Sequence, residues 1–387
     1  MINVLQKEQC CGCDACTQIC PQKCISMKTD SEGFSYPIAD KSVCIECGLC
    51  EKVCPVKNAK KCNETTVGTY IAYAKNEPMR LKSSSGGLFS LFAQNVLKSN
   101  GVVFGAAFDK ELMVHHIKVE DEKELKLLRG SKYLQSRIEN TYIEAKLELQ
   151  KGRKVLYTGT ACQIAGLKNF LKRDYDNLYT IDILCHGVPS PKLWKFYLNS
   201  QQNIYGADIT DVSFRNKDFG WKAFAMELNF NNLSKYKKPF TQDPFMDLFL
   251  SNICLRPSCH SCKFKALERP SDITIGDCWG IEKYMPELDD DKGTSVILTH
   301  SHKGEEMFEN IKDFLNYNSA ETEQALPPSS DSRKSVAPHE NRKIFFKALN
   351  SKSCTMKKLT KLLEPTFGSR AKSIITRGKN KLLRTFR

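Results

Sequence analysis

Eight cysteines in the first 54 residues repeat one pattern, Cys10-x2-Cys13-x2-Cys16-x3-Cys20-Pro21 and Cys44-x2-Cys47-x2-Cys50-x3-Cys54-Pro55. A 4Fe-4S cube needs four converging thiolates. A C-x2-C-x2-C loop supplies three of them and leaves the fourth to come from elsewhere. The spacing therefore predicts two cubes, one held by Cys10, Cys13, Cys16 and Cys54, the other by Cys44, Cys47, Cys50 and Cys20. Pro21 and Pro55 turn the chain away after each fourth ligand, since proline fixes φ and cannot donate to a ladder. Zinc sites use paired C-x2-C arms without this third and fourth cysteine. A disulfide framework belongs to small secreted domains, and this chain is long, with no signal peptide. The chemistry expected is one-electron transfer.

The spacing is that of two-cluster bacterial ferredoxins. Between the runs, Ile25, Phe34, Tyr36, Ile38 and Val43 read as a short hairpin covering the clusters. Cys11, Cys24 and Cys62 fall out of register and read as small buried or linker residues. A second set stands at 162, 185, 254, 259, 262 and 278. Cys162 and Cys185 each follow a strand-like run, at turns where α/β proteins present side chains from the carboxyl edge of a sheet. The favoured reading gathers Cys162, Cys185, Cys259 and Cys262 around a third 4Fe-4S cluster. A 2Fe-2S or zinc site using Cys254 or Cys278 is one alternative, and buried free thiols are the other.

Several segments together resemble the coenzyme F420 hydrogenase/dehydrogenase beta-subunit family. They are Ser84-Ser85-Gly86-Gly87, Gly130-Ser131-Lys132-Tyr133, Gly159-Thr160-Ala161-Cys162-Gln163, Cys185-His186-Gly187, Leu255 to Cys262 and Asp272 to Asp277. The likeness covers roughly residues 70–300. It implies FAD, an iron–sulfur cluster and electron exchange with a deazaflavin or a related substrate. One departure is Cys278-Trp279-Gly280, where an aromatic residue is expected before the tryptophan. A flavin suits the chain chemically, because it converts between hydride and single electrons. There is no G-x-G-x-x-G fingerprint, so the phosphate seat is expected at a helix N-terminus instead. Ser84, Ser85, Gly86 and Gly87 offer one such turn, and Thr158, Gly159, Thr160 and Gln163 a second; the first also fits a plain serine-capped helix. Lys132 is the candidate cation beside the isoalloxazine, and His186 the candidate donor to a cluster sulfur or to substrate. Asp272 and Asp277 are candidates for the ribityl chain. A solvated lysine, a structural histidine and turn-capping aspartates are the plainer readings of the same residues.

The elements that must position these groups alternate between helix and strand, the sign of an α/β domain. Strands are expected at Gly101–Phe108, Val114–Val119, Val155–Tyr157, Leu178–Leu184, Val212–Phe214, Phe224–Phe230, Ile273–Ile275 and Val296–Leu298. Helices are expected at Leu88–Lys98, Ile138–Leu149 and after the Thr158–Gln163 turn through Leu171, with Pro191 and Pro244 each opening another. The expected fold is an α+β ferredoxin-like cluster module (1–62) fused to a larger α/β flavoprotein domain (63–345), with a basic helical tail (346–387).

The formal charge of +14 is concentrated in that tail: Ser351 to Arg387 holds eleven Lys or Arg and one acid, Glu364. Interleaved cations and aliphatics there fit a peripheral membrane surface or an acidic partner, or simply a solvated end. No nucleic-acid recognition motif accompanies the charge, so nucleic acid is not expected as a partner. No apolar run reaches the roughly 20 residues of a membrane span. Oxygen-sensitive clusters without a targeting segment point to the cytoplasm. The expected activity is an FAD- and iron–sulfur-dependent oxidoreductase. It would draw on a one-electron carrier or redox partner protein and exchange hydride with a small molecule. An electron relay without its own substrate site, or an enzyme acting on a metabolite such as a sugar, is the alternative.

Overall fold

The computed structural model describes residues 1–4, 6–59 and 66–364. Cys62 and the part of the basic tail from 365 to 387 lie outside the described residues. The N-terminal segment forms a two-stranded antiparallel hairpin, β1 (Ile25–Thr29) and β2 (Ser35–Ala39), with short helices at Ala15–Ile19 and Leu49–Lys52. The rest of the chain adds β3 (Gly68–Ala74), β4 (Val102–Phe108), β5 (Val114–Val119), β6 (Val155–Thr160) and β7 (Leu178–Ile183). Then follow β8 (Ile209–Asn216), β9 (Ala225–Phe230), β10 (Lys235–Pro239), β11 (Ile273–Asp277), β12 (Ser295–Thr299) and β13 (Leu315–Ser319).

Eight of these strands make one mixed sheet in the order β13-β3-β12-β11-β7-β6-β4-β5. Its centre, β4-β6-β7-β11, is parallel, and both flanks are antiparallel. The near-continuous apolar runs of β4 and the start of β6 suit strands covered on both faces. Helix Leu88–Lys98 covers one face with Leu88, Phe92 and Val96. Helices Thr141–Gln150 and Ala161–Leu171 cover the other with Tyr142, Ala145, Ile164 and Leu167. Strands β8, β9 and β10 form a separate antiparallel meander that packs with helix Pro191–Tyr205 and helix Pro244–Leu250.

The N-terminal segment is built into these cores. Cys13, Ala15 and Val53 join the cluster of Tyr142 and Leu167, whereas Phe34 and Tyr36 join that of Trp194 and Phe245. The β1–β2 hairpin thus faces the α/β region, and Ile38 and Val43 are left exposed. The boundary expected at residue 345 cuts through a helix, Arg342–Leu349, which buries Phe345, Phe346 and Leu349 in the same core. Leu359 of helix Met356–Thr360 is buried there too. The described start of the tail, 346–364, is therefore packed, because its aliphatic and aromatic residues find a core to enter. The Arg342 guanidinium also makes a two-pronged pair with Glu32, binding through Nη1 at 2.9 Å and Nη2 at 2.6 Å.

Gly166 marks the contact between the N-terminal segment and helix Ala161–Leu171. A Cβ there would lie 3.0 Å from the Cys13 sulfur and 3.0 Å from the Tyr142 hydroxyl. Gly166→Leu is expected to force the two elements apart, at a cost of about 1–3 kcal/mol. Urea unfolding should show the lower midpoint, and iron analysis a loss of N-terminal iron. An unchanged midpoint would contradict this packing.

Candidate functional site

The thiols of the first expected set come together. Cys10, Cys13 and Cys16 each feel the charge of Cys54, and Cys16 also feels that of Cys10. The second set lines a depression with Cys20, Cys44, Cys47 and Cys50, and the Ile2 amide donates to the Cys50 sulfur at 3.2 Å. Cys24 lines the same depression, its sulfur 3.4 Å from that of Cys20. The out-of-register reading missed this, because the β1 hairpin folds residue 24 back over the Cys44 loop. The chain crosses between the two runs so that each lends one cysteine to the other.

Parallel pairing of β6 and β7 aligns Thr160 with Ile183, so Cys162 and Cys185 leave the sheet side by side at its carboxyl edge. The segment Pro257–Ser261 carries Cys259 to the same place, with Cys262 just beyond its end. The bond from the Arg256 amide to the Val188 carbonyl, 2.9 Å, fixes that segment against the loop after β7. Burial and the charges of Cys259, Cys162 and Cys262 all push the Cys185 thiol up. Burial raises Cys259 to about 12, and Cys162 and Cys262 act on it in the same direction. Among the described residues no three His, Cys, Asp or Glu side chains are gathered tightly enough for one metal ion. Cys254 and Cys278 stand apart: the Cys254 thiol donates to the Leu248 carbonyl at 3.4 Å, and the Cys278 sulfur meets the Tyr284 hydroxyl at 2.8 Å.

Cys11, dismissed on spacing alone, lies between the two regions. Its thiol lies near enough to those of Cys13 and Cys162 to act on the titration of both regions. Nothing in the sequence signals this, because the partners meet only when the N-terminal loop docks on helix Ala161–Leu171.

A third group of residues occupies the sheet edge beyond Thr158. The Ser84 hydroxyl accepts from the Ser131 amide at 2.6 Å, which brings Lys132 beside the serine turn. The Lys132 ammonium donates to the carbonyls of Leu128, Arg129 and Gly130, and burial lowers it to about 8. The Ser85 hydroxyl and the Gly86 amide are bound to Thr294 and Ser295. Gly87 leads into helix Leu88–Lys98, whose first turn carries no side-chain cap. Its free amides attract anions.

Two cations that sequence reasoning missed flank this turn. Lys217 donates to the carbonyls of Arg80, Ser85 and Lys292 at 3.0, 2.9 and 2.7 Å. Arg215 binds Asp277 at 2.8 Å and the Tyr133 hydroxyl at 3.0 Å, and its buried Nε has no partner. Trp221 donates to Asp277 and stacks on Trp279 with centroids 4.5 Å apart, leaving Trp279 half exposed. Cations, open helix amides and an exposed indole suit an anionic ligand that also carries a flat ring.

Other expected site residues are placed differently. Thr160 and Gln163 form a capping box on helix Ala161–Leu171, and the Gln163 amide also donates to the Ser136 carbonyl. The Thr158 hydroxyl donates to the Phe104 carbonyl, and the Gly159 backbone lies against Gln163. Asp272 accepts from the Thr180 amide and hydroxyl and from Ser301. It precedes β11 while Asp277 ends it, about 16 Å further along a strand. The His186 ring bonds Asn252 at 2.7 Å and faces Asp331 at 3.8 Å.

Cysteine runs of this spacing, on a mixed α/β frame, define an iron–sulfur electron-transfer protein. The family described as the C terminus of the coenzyme F420 hydrogenase/dehydrogenase beta subunit matches residues 152–324, and the 4Fe-4S dicluster domain matches residues 9–58. The matched C-terminal stretch is thus similar to an oxidoreductase family, and the N-terminus carries a 4Fe-4S dicluster domain. Among solved structures, this protein is similar to a chain in a xenon derivative of the F420-reducing NiFe hydrogenase complex from Methanosarcina barkeri. That likeness has 16% identity and a TM-score of 0.47, covering 78% of this chain and 91% of that one. No curated protein matches the chain. No described helix is long and apolar enough to cross a membrane.

Burial, with Arg215 and Arg80 nearby, lowers Lys217 to about 7, below the usual lysine value of about 10.4. Between those values the unfolded chain holds the proton that the folded chain has released, so stability rises with pH there. In protein stripped of small-molecule ligands, urea unfolding should show this rise between pH 7 and 9. Lys217→Met should flatten it, and an equal slope in both proteins would refute the assignment.

Proposed function

We propose that this chain is an iron–sulfur flavoprotein oxidoreductase coupling one-electron transfer to hydride exchange with a deazaflavin or a similar small molecule. The observation that carries the reading is the convergence of Cys162, Cys185, Cys259 and Cys262 beside the N-terminal cysteines, with Cys11 touching both regions. These four thiols would hold a third 4Fe-4S cluster. The clusters supply single-electron transfer and FAD supplies conversion between single electrons and hydride.

The chain's own residues give each part a seat. Helix Leu88–Lys98 offers uncapped amides for a pyrophosphate, with Lys217 held against the same turn. Arg215 adds a fixed charge and an unpaired Nε–H, and Asp277 holds it in place. Trp279 presents a ring face backed by Trp221. Lys132 follows Ser131, which donates to the Ser84 hydroxyl of the serine turn, and would favour a reduced, anionic ring. The Ser84 and Ser85 hydroxyls shape the turn and leave binding to backbone and cations. The exposed Cys47 marks the side on which a one-electron carrier or redox partner protein would approach the second cysteine set.

The relay reading, without its own substrate site, predicts clusters and no flavin. Anaerobic reconstitution followed by flavin release separates the two: stoichiometric FAD supports the proposal, and a colourless supernatant with full iron supports the relay. Cys259→Ala is expected to lower iron from about twelve to about eight atoms per chain, four for each cube. Unchanged iron would remove the third cluster. Bleaching of bound flavin by reduced deazaflavin, but not by sugars or nicotinamides, would identify the substrate class.

A further inference from the structure

Arg256 is 1% exposed, and all of its hydrogen-bond partners are neutral groups. Nε donates to the Cys10 carbonyl at 2.8 Å and Nη1 to the Gln135 side-chain oxygen at 2.8 Å. Nη2 donates to the Ser35 carbonyl at 2.8 Å and to the Cys10 sulfur at 3.6 Å. The faces of Tyr36 and Phe34 lie 4.6 and 5.5 Å from the guanidinium carbon. Asp14 feels the guanidinium through space, and among the described residues no salt bridge joins Arg256 to a carboxylate. A buried guanidinium this poor in counter-charge is costly, because burial strips the ion of water and neutral partners return only part of the loss.

The missing negative charge is at hand on both sides. Arg256 acts electrostatically on Cys10, in the dicluster domain, and on Cys162 and Cys259, in the second set. The loop is shaped to admit it. Gly12 has φ of +68°, and a Cβ there would lie 2.8 Å from Nη1 and 2.4 Å from the Gln135 amide nitrogen. That amide in turn donates to the carbonyls of Cys11 and Gly12 at 2.9 and 3.1 Å. Arg256 and Gln135 thus grip the Cys10–Gly12 loop from the α/β side. Cys20, Cys44, Cys47 and Cys50 share no contact with this grip.

We propose that Arg256 is a positioning residue whose fixed charge is balanced by the clusters on its two sides, raising the reduction potential of both and leaving the cluster of Cys20, Cys44, Cys47 and Cys50 unaffected. A cluster gains negative charge on reduction, so a nearby buried cation stabilises the reduced form. The same charge makes cluster loading and docking of the N-terminal loop interdependent, since each relieves the cost of burying the guanidinium. For the Cys10 cluster the inference rests on the dicluster domain alone; for the second cluster it rests on the function proposed above.

The test uses the full-length holoprotein, prepared without oxygen, as wild type, Arg256→Gln and Arg256→Lys. Iron analysis is combined with redox titration followed by electron paramagnetic resonance. Arg256→Gln should lower the potential of the Cys10 cluster and of the third cluster by at least tenfold in the redox equilibrium, about 59 mV for one electron. The remaining cluster should stay in place, and Arg256→Lys, which keeps the charge, should recover most of the shift. If Arg256→Gln instead fails to retain iron, retention by Arg256→Lys carries the same meaning. The inference is overturned by full iron with unshifted potentials in Arg256→Gln, by an equal shift of every cluster, or by equal impairment of the Gln and Lys variants. Wild-type iron near eight atoms would remove the third cluster from the proposed function, yet the shift at the Cys10 cluster would still decide the role of Arg256.

Discussion

The parallel pairing of β6 with β7 is the constraint on which the rest depends. Hydrogen-bonded register leaves little freedom along a strand, so the residues that follow Thr160 and Ile183 must emerge together at one edge. Ala161 then starts a helix whose capping box fixes the direction of Cys162, and Cys185 enters a loop pinned by the Arg256 amide. Two strands and one short loop thus focus four thiols from separate segments on one volume.

The N-terminal segment is positioned by the same edge. Cys13 sits against Gly166 of the helix that begins beside Cys162, and Cys11 spans the remaining gap. Aromatic packing of Phe34 and Tyr36 and the Glu32–Arg342 pair secure the far side of the segment. The cysteine runs are therefore part of the same packed body as the sheet, with one run at the seam and the other, including the exposed Cys47, toward solvent.

Much of this was legible in the sequence where local signals were strong. The two cysteine runs carry a ligand pattern that tolerates few other uses. The apolar runs at 102–108, 155–157 and 178–184 read as strands because they are covered on both faces, and Pro191 and Pro244 do open helices. Strands β10 and β13 escaped notice because they are edges, rich in Lys and Asn, and their order comes from pairing. Arg215, Lys217 and Cys11 were invisible for a related reason: their partners are distant in sequence, and isolated cations or an extra thiol carry no pattern. Gln163 and Asp272 look like site residues in the sequence, and the fold spends them on a helix cap and a strand-to-strand bond. The tail was misjudged from its charge, since Phe345, Phe346 and Leu359 turn its described portion inward.

The central claim is that the edge formed by β6 and β7 holds iron, in addition to the iron of the N-terminal runs. An anomalous difference map measured at the iron edge from crystals grown without oxygen tests it most directly. The account predicts three separate iron peaks, one of them enclosed by Cys162, Cys185, Cys259 and Cys262. Two peaks, both within the first 54 residues, with reduced thiols at the sheet edge, would contradict it.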